Sequence, residues 1–299
     1  MTQANSLARR ATPADWIEGA RLRTLPLSVA PVVLGTGLAA AAGQVAWGRA
    51  LLCLWVALWL QIGVNYANDY SDGIRGTDGE DRVGPARLTG GRLARPSTVR
   101  AVAFSCFGLA ALGGLLLVAL CGQWWLLLIG CAAVAAAWFY TGGRHPYGYA
   151  GLGELFVFVF FGLVATVGTV FVQTLRVQVL DWIAAVAMGL FACAVLMVNN
   201  LRDIETDPRQ GKHTLAVRLG RVRAERAFAG LVLVPVLLLI PMSLLHPAAV
   251  LGLLCLPLAE LALRDGLFPR TARDRIAALR WTSLSALLFA LAAAVGLWI

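Results

Sequence analysis

The sequence predicts an all-α integral membrane protein with about nine transmembrane helices. Three observations point there. Of 299 residues, 59% are hydrophobic and only 14% are charged, against about 25% charged in an ordinary water-soluble domain. Apolar runs of roughly 18 residues or more, the length a helix needs to cross about 30 Å of hydrocarbon, recur along the whole chain. The basic residues gather in alternate connections between those runs instead of scattering.

The first run, near 24–43, has no fitting small-residue cleavage site and keeps Pro26 and Pro31. It therefore reads as a retained span and not as a signal peptide. The second, near 49–70, runs into a polar stretch beginning at Asn65. The third and fourth, near 99–120 and 123–140, are parted only by Cys121–Gly122, and the fifth, near 152–172, opens with Glu154. The sixth, near 181–200, ends on Asn199 and Asn200. The seventh and eighth, near 226–245 and 247–263, meet at His246; the eighth is short and carries Glu260. The ninth lies near 278–298.

Connections from odd to even runs are short, and those from even to odd runs are longer and basic. All of the 25 Lys and Arg residues except Arg49 and Arg176 fall on one side of this arrangement. By the positive-inside rule that side is cytoplasmic. The N-terminus is then inside and, with nine spans, the C-terminus outside, as expected for a multi-pass protein of the cell membrane. The net charge of +9 is accounted for by orientation, so nucleic acid is not an expected partner. The six cysteines lie in or beside apolar runs without a CxxC pair, and the three histidines are isolated. Neither set reads as a disulfide framework or a zinc site.

Half of the 16 acidic residues fall in two short segments, Asp69–Asp81 and Asp203–Asp207. On a helix Asn65, Asn68 or Asp69, and Asp72 share one face, as do Asn200, Asp203 and Asp207. Asn68, Asp69 and Asp72 match Asn199, Asn200 and Asp203 at a constant offset of 131. This hints at a duplicated unit within a single domain, 1–299, with pseudo-repeat motifs near 65–78 and 199–212. Two carboxylate stripes brought together in a low dielectric repel unless a cation sits between them. Oxygen donors of this type suit Mg²⁺, which bridges to substrate phosphates. Lys212, Arg144 and Arg202 stand nearby in sequence to meet phosphate charge. Acids and bases at the mouth of an apolar bundle suggest a substrate with a diphosphate head and a lipid tail. Solvated charges at helix ends would explain Glu80, Asp81 and Glu205, but not the shared faces. A transporter would place its acids nearer the midplane, with a polar track to the other side. A phosphatidyl-group transferase would hold them in one tighter segment.

Asn68-Asp69-x-x-Asp72 and Asp203-x-x-x-Asp207 resemble the NDxxDxxxD and DxxxD motifs of the UbiA superfamily of membrane prenyltransferases. Gly76 stands where the first motif's last acid would be, followed by Thr77 and Asp78. With Arg23-Thr-Leu-Pro26, the segment Tyr140–Glu154 and Gly211-Lys212-His-Thr214, this variant resembles the branch acting on 1,4-dihydroxy-2-naphthoate in menaquinone synthesis. The resemblance implies a bundle around a central cavity that opens sideways to membrane lipid, with cytoplasmic loops capping the site. Asn68, Asp69, Asp72, Asn200, Asp203 and Asp207 would hold Mg²⁺ on a polyprenyl diphosphate, with the four aspartates catalytic. Lys212, Arg144 and Arg202 would bind diphosphate, with Arg144 alternatively on the aromatic carboxylate. Tyr140, Tyr149, Asp78 and Asn65 would face the aromatic substrate or an allylic cation. Other aromatic acceptors, such as 4-hydroxybenzoate or homogentisate, suit the same motifs.

Overall fold

The computed structural model describes residues 9–77 and 87–299, and no strand occurs among them. Every predicted run coincides with a helix. The chain enters through α1 (Pro13–Ala20), started by Thr12 and Asp15 in a reciprocal capping box. Arg21 takes a left-handed φ of 54°, and Pro26 opens α2 (Pro26–Ala41). A left-handed residue and a proline without an N–H cannot continue one straight helix. The pair is accordingly bent by 46°.

Helix α3 (Trp47–Arg75) has 29 residues, about 43 Å at 1.5 Å per residue. It outlasts the hydrocarbon, so the first acidic segment rides on its last turns. The sequence places the end of this span near 70; the helix continues to the left-handed C-cap Gly76, with a φ of 72°. There follow α4 (Pro96–Cys121) and α5 (Leu126–Phe139). The latter has only 14 residues, about 21 Å. It is shorter than the predicted span because Trp124 and Trp125 form a turn and not a first helical turn.

Helix α6 (Gly153–Thr174) contains a π-helical stretch, Phe158–Val164. It packs so closely on α7 (Val179–Arg202) that a Cβ at Gly162 would lie 2.5 Å from the Cα of Gly189. Small residues at such contacts are the usual device where lipid offers no hydrophobic drive to helix association. Helices α8 (Arg221–Leu245), α9 (Pro247–Leu267) and α10 (Ala272–Trp298) complete the bundle. Among the described residues, seven helices are long and apolar enough to cross a membrane, and the bent pair makes an eighth.

Helices α7 and α10 are the most enclosed of these spans. Phe191 and Phe289 meet edge to face at their contact, with ring centroids 5.4 Å apart. A second core joins α3 to α4 through Tyr66, Ala67, Leu88, Val99 and Phe107. Large apolar side chains such as Leu112, Leu128, Ile240 and Leu244 point outwards. An apolar exterior over helices of this length makes the chain a multi-pass membrane protein.

Candidate active site

The last turns of α3 place four predicted residues in a row, and each is held differently. Asn65 donates to the carbonyl of Ala20 at 2.8 Å and to Thr24 Oγ1 at 3.3 Å. It therefore ties α3 to the bend between α1 and α2. Asn68 accepts from Thr141 Oγ1 at 2.7 Å. Asp69 is fully buried, and its two oxygens accept the backbone N–H groups of Leu88 and Thr89 at 2.9 and 2.8 Å. A carboxylate bonded this way pins the loop that returns from the α3–α4 connection. Asp72 accepts from Tyr149 Oη at 2.5 Å and pairs with Lys212 Nζ at 3.3 Å.

Gly76 explains its own place in the motif. The N–H groups of Gly76 and Thr77 close back on α3 carbonyls, that of Thr77 reaching Asp72 O at 3.1 Å. An aspartate there would have to adopt the left-handed conformation that glycine takes without strain. Asp78 lies outside the described residues.

The second segment leaves the helix sooner. Asn200, still inside α7, donates to Glu154 Oε1 at 3.1 Å. Asp203 is the C-cap of α7, and both its oxygens are gripped by the guanidinium of Arg202. Asp207 opens a 3₁₀ turn, buried, with Thr214 Oγ1 at 3.5 Å and its own carbonyl accepting from Lys212 N at 2.9 Å. Burial first, then the charges of Asp203 and Asp72, push its carboxyl up to about 7, against the opposing pull of Lys212 and Arg202. The two segments are therefore within electrostatic reach of each other, and their acids repel.

Tyr149 is the pivot between them. Its hydroxyl holds Asp72, Lys212 Nζ stands 4.9 Å from its ring centroid, and its carbonyl accepts from His213 N at 2.8 Å. Burial and the adjacent Asp72 carboxylate raise its phenol well above the usual tyrosine range. Tyr140 is packed beneath, its ring against Tyr147 at 5.5 Å, and burial raises its phenol likewise. A Cβ at Gly148 would lie 2.6 Å from the Tyr140 carbonyl oxygen, so this loop closes only with glycine there.

Three cations deserve separate placement. Arg144 is exposed on the loop, with no hydrogen bond or ion pair to either acidic segment among the described residues. Arg75, not singled out by the sequence, donates to the carbonyls of Thr141 and Gly143 and lies 5.4 Å over the Tyr149 ring. Arg87, also missed, is half-buried and within electrostatic reach of Asp69, Asp72 and Asp203. Desolvation lowers its pKa while those three carboxylates act to raise it. No spacing rule connects position 87 with position 203; only the Asp69 anchor on the neighbouring Leu88 brings them together.

Among the described residues, no three His, Cys, Asp or Glu side chains converge into a ready-made ion cage. That suits Mg²⁺, which is commonly held by one or two carboxylates and completed by substrate phosphates and water. The donors are hard oxygens, and their mutual repulsion favours a cation between them. A cavity of about 550 Å³ opens near Gln44, Arg176, Asp181 and His246. No residue of either acidic segment lines it.

Comparison with known proteins agrees with the motifs. The UbiA prenyltransferase family matches residues 28–284. A 1,4-dihydroxy-2-naphthoate octaprenyltransferase of Mycobacterium tuberculosis is 52% identical over 284 residues, covering 94% of this chain and 96% of that protein. The protein of the same name from Escherichia coli is 38% identical over 268 residues, covering 88% of this chain and 87% of its own. Among solved structures, a UbiA homolog from Archaeoglobus fulgidus bound to GPP and Mg²⁺ superposes with a TM-score of 0.64 at 14% identity, over 94% of this chain and 100% of the other. The apo structure of a UbiA homolog from Aeropyrum pernix K1 gives 0.64 at 15% identity, over 91% and 96%. With the helical bundle and both acidic motifs in place, the match over most of its length means that the chain belongs to the UbiA prenyltransferase family.

Proposed function

We propose that this enzyme transfers a polyprenyl group from a polyprenyl diphosphate to 1,4-dihydroxy-2-naphthoate. A carbon–carbon bond forms at the ring carbon that bears the carboxylate, CO₂ and diphosphate leave, and oxidation then gives demethylmenaquinone. The observation that carries this reading is Asp72 held by the half-buried Tyr149 and Lys212, with the buried Asp207 within electrostatic reach of Asp72 and Lys212. The name borne by a relative 52% identical over nearly the whole chain supports the acceptor.

Mg²⁺, held by oxygens of Asn68, Asp69, Asp72, Asn200, Asp203 and Asp207, would supply Lewis-acid neutralisation of the leaving diphosphate. Asp72, Asp203 and Asp207 are the donors that act on one another. Asn68, Asp69 and Asn200 carry bonds that also fix the surrounding frame. Lys212 donates to phosphate oxygens once substrate draws it from Asp72, and Arg202 and Arg87 offset the charge of departing diphosphate. Tyr149 orients Asp72 and, with Tyr140, offers ring surface to the developing allylic cation. The apolar bundle keeps water from that cation. Asn65 secures the bend that roofs α3, and Asp78 and Arg144 are left to the aromatic acid. We place the chain in the cell membrane, N-terminus inside, C-terminus outside, with the site towards the cytoplasm and the tail in membrane lipid. The asymmetry of its basic residues supports this. Residues 1–299 act as one domain whose two acidic segments descend from a duplication.

The test is product mass after incubating the purified enzyme with 1,4-dihydroxy-2-naphthoate and a polyprenyl diphosphate. The expected product is the prenylated naphthalenediol, or its quinone, without the carboxyl group. A product retaining the carboxylate, or turnover only with 4-hydroxybenzoate, would overturn the acceptor.

A further inference from the structure

The end of the bundle that carries the acidic segments holds a second concavity. It is a pocket of about 200 Å³ lined by Arg202, Arg221, Pro269, Arg270, Thr271 and Arg275. Four guanidinium groups line it, and no acidic side chain does. Two of them stand where helix electrostatics disfavour them. Arg221 is the first residue of α8, and Arg275 lies in the first turn of α10. The positive end of a helix macrodipole repels cations and attracts anions.

Arg275 adds a second, independent observation. It is only 8% exposed. One terminal nitrogen donates to Leu201 O at 2.8 Å, and the other to Glu225 Oε1 at 3.0 Å. Its Nε is buried and has no hydrogen-bond partner among the described residues. A buried donor left unpaired is unfavourable. Arg221 acts on Arg275 as a like charge. The acid paired with Arg221 is Glu205, whose side chain is 74% exposed. Such an exposed pair contributes little in water. An anion with several acceptor oxygens would relieve the repulsion and suit both helix ends.

We propose that this pocket binds one phosphate-class anion, either free diphosphate or the phosphate headgroup of an anionic lipid. It is built from residues outside the two acidic motifs, save that Arg202 serves both. The inference does not depend on which acceptor is prenylated. The pocket has room for one or two phosphate groups.

The test uses the full chain in phosphatidylcholine nanodiscs, with chelator present and no divalent cation, titrated with inorganic diphosphate by calorimetry. One anion per chain is expected. Arg270→Ala should weaken it about tenfold, the scale of one charge-assisted hydrogen bond, and Arg221→Ala with Arg270→Ala more. Both positions are exposed, so folding should survive, and a thermal unfolding midpoint checks it. Arg223→Ala removes an exposed charge at the same helix start but outside the pocket and should not change binding, whereas Lys212→Ala reports any diphosphate held at the reaction site. Adding phosphatidylglycerol separates the sources. If the lipid headgroup is the occupant, it competes with diphosphate and raises the unfolding midpoint of the wild type more than that of the double variant. Three results would overturn the proposal: neither anion binds; Arg223→Ala weakens binding as much as Arg270→Ala; or binding follows Lys212 and ignores Arg270.

Discussion

The two acidic segments are alike in sequence and differ in what holds them. The first is still helical at Asp69 and Asp72, and its carboxylates are already committed. Asp69 is taken by two backbone N–H groups, and Asp72 by Tyr149 and Lys212. The second has left its helix by Asp203, which is held by a single neighbour, Arg202, and ends in the buried Asp207. The first segment is thus tied into the helix and the loop beside it, whereas the second lies on a turn beyond its helix. Matching motifs do not imply matching contacts: Asp69 pins a loop through two backbone N–H groups, whereas its counterpart Asn200 donates to Glu154.

Substitutions should separate these duties. The largest effect is expected at Asp72. Asp72→Asn should lower kcat/KM by about 10³-fold, the scale of losing a group that stabilises developing charge, with little change in unfolding temperature. Steady-state kinetics and thermal unfolding on one preparation would check this. Asp203→Asn should behave in the same way. Asp69→Asn should differ in kind. An amide offers one acceptor oxygen where the carboxylate offers two, so one buried N–H of Leu88 or Thr89 is stranded, costing about 1–3 kcal/mol. Amide hydrogen exchange should then rise at Leu88 and Thr89 while α7 is unaffected. If Asp69→Asn proves as stable as the wild type, the contrast between the segments is lost.

Tyr149→Phe keeps the ring but removes the hydroxyl that orients Asp72. A loss of about tenfold in kcat/KM is expected, the scale of an outer-shell hydrogen bond to a metal ligand. The smallest effect is expected at Gly76. Gly76→Asp restores the motif's last acid but forces a left-handed φ, costing about 1 kcal/mol with no gain in rate. A gain in rate would mean that Gly76 is more than a helix cap.

Much of this was legible in the sequence, and the reasons are specific. Apolar length alone located all nine helical segments, because hydrocarbon thickness fixes the minimum run. Helical spacing described Asn65 to Asp72, which lie on one helix, but not Asp207, because α7 ends at Arg202 and Asp207 opens a 3₁₀ turn. Three features were hidden. The commitment of Asp69 to Leu88 and Thr89 crosses a connection that no local rule spans. Arg87 looked like any loop arginine, yet it lies within electrostatic reach of Asp69, Asp72 and Asp203. The direction of Arg144 was hidden too: the turn after Gly143, whose φ is 76°, leaves it exposed. Charge type can be read from a sequence; the direction a loop side chain takes depends on the backbone that carries it.

The central claim is that both segments serve one Mg²⁺-dependent site. Its most direct test is turnover measured against Mg²⁺ concentration for the wild type, Asp72→Asn and Asp203→Asn, starting from enzyme stripped of divalent ions. The account predicts no product without a divalent cation, restoration on adding Mg²⁺, and a higher Mg²⁺ requirement in both variants. Unchanged turnover in stripped wild-type enzyme, or a shift in only one of the two variants, would contradict it.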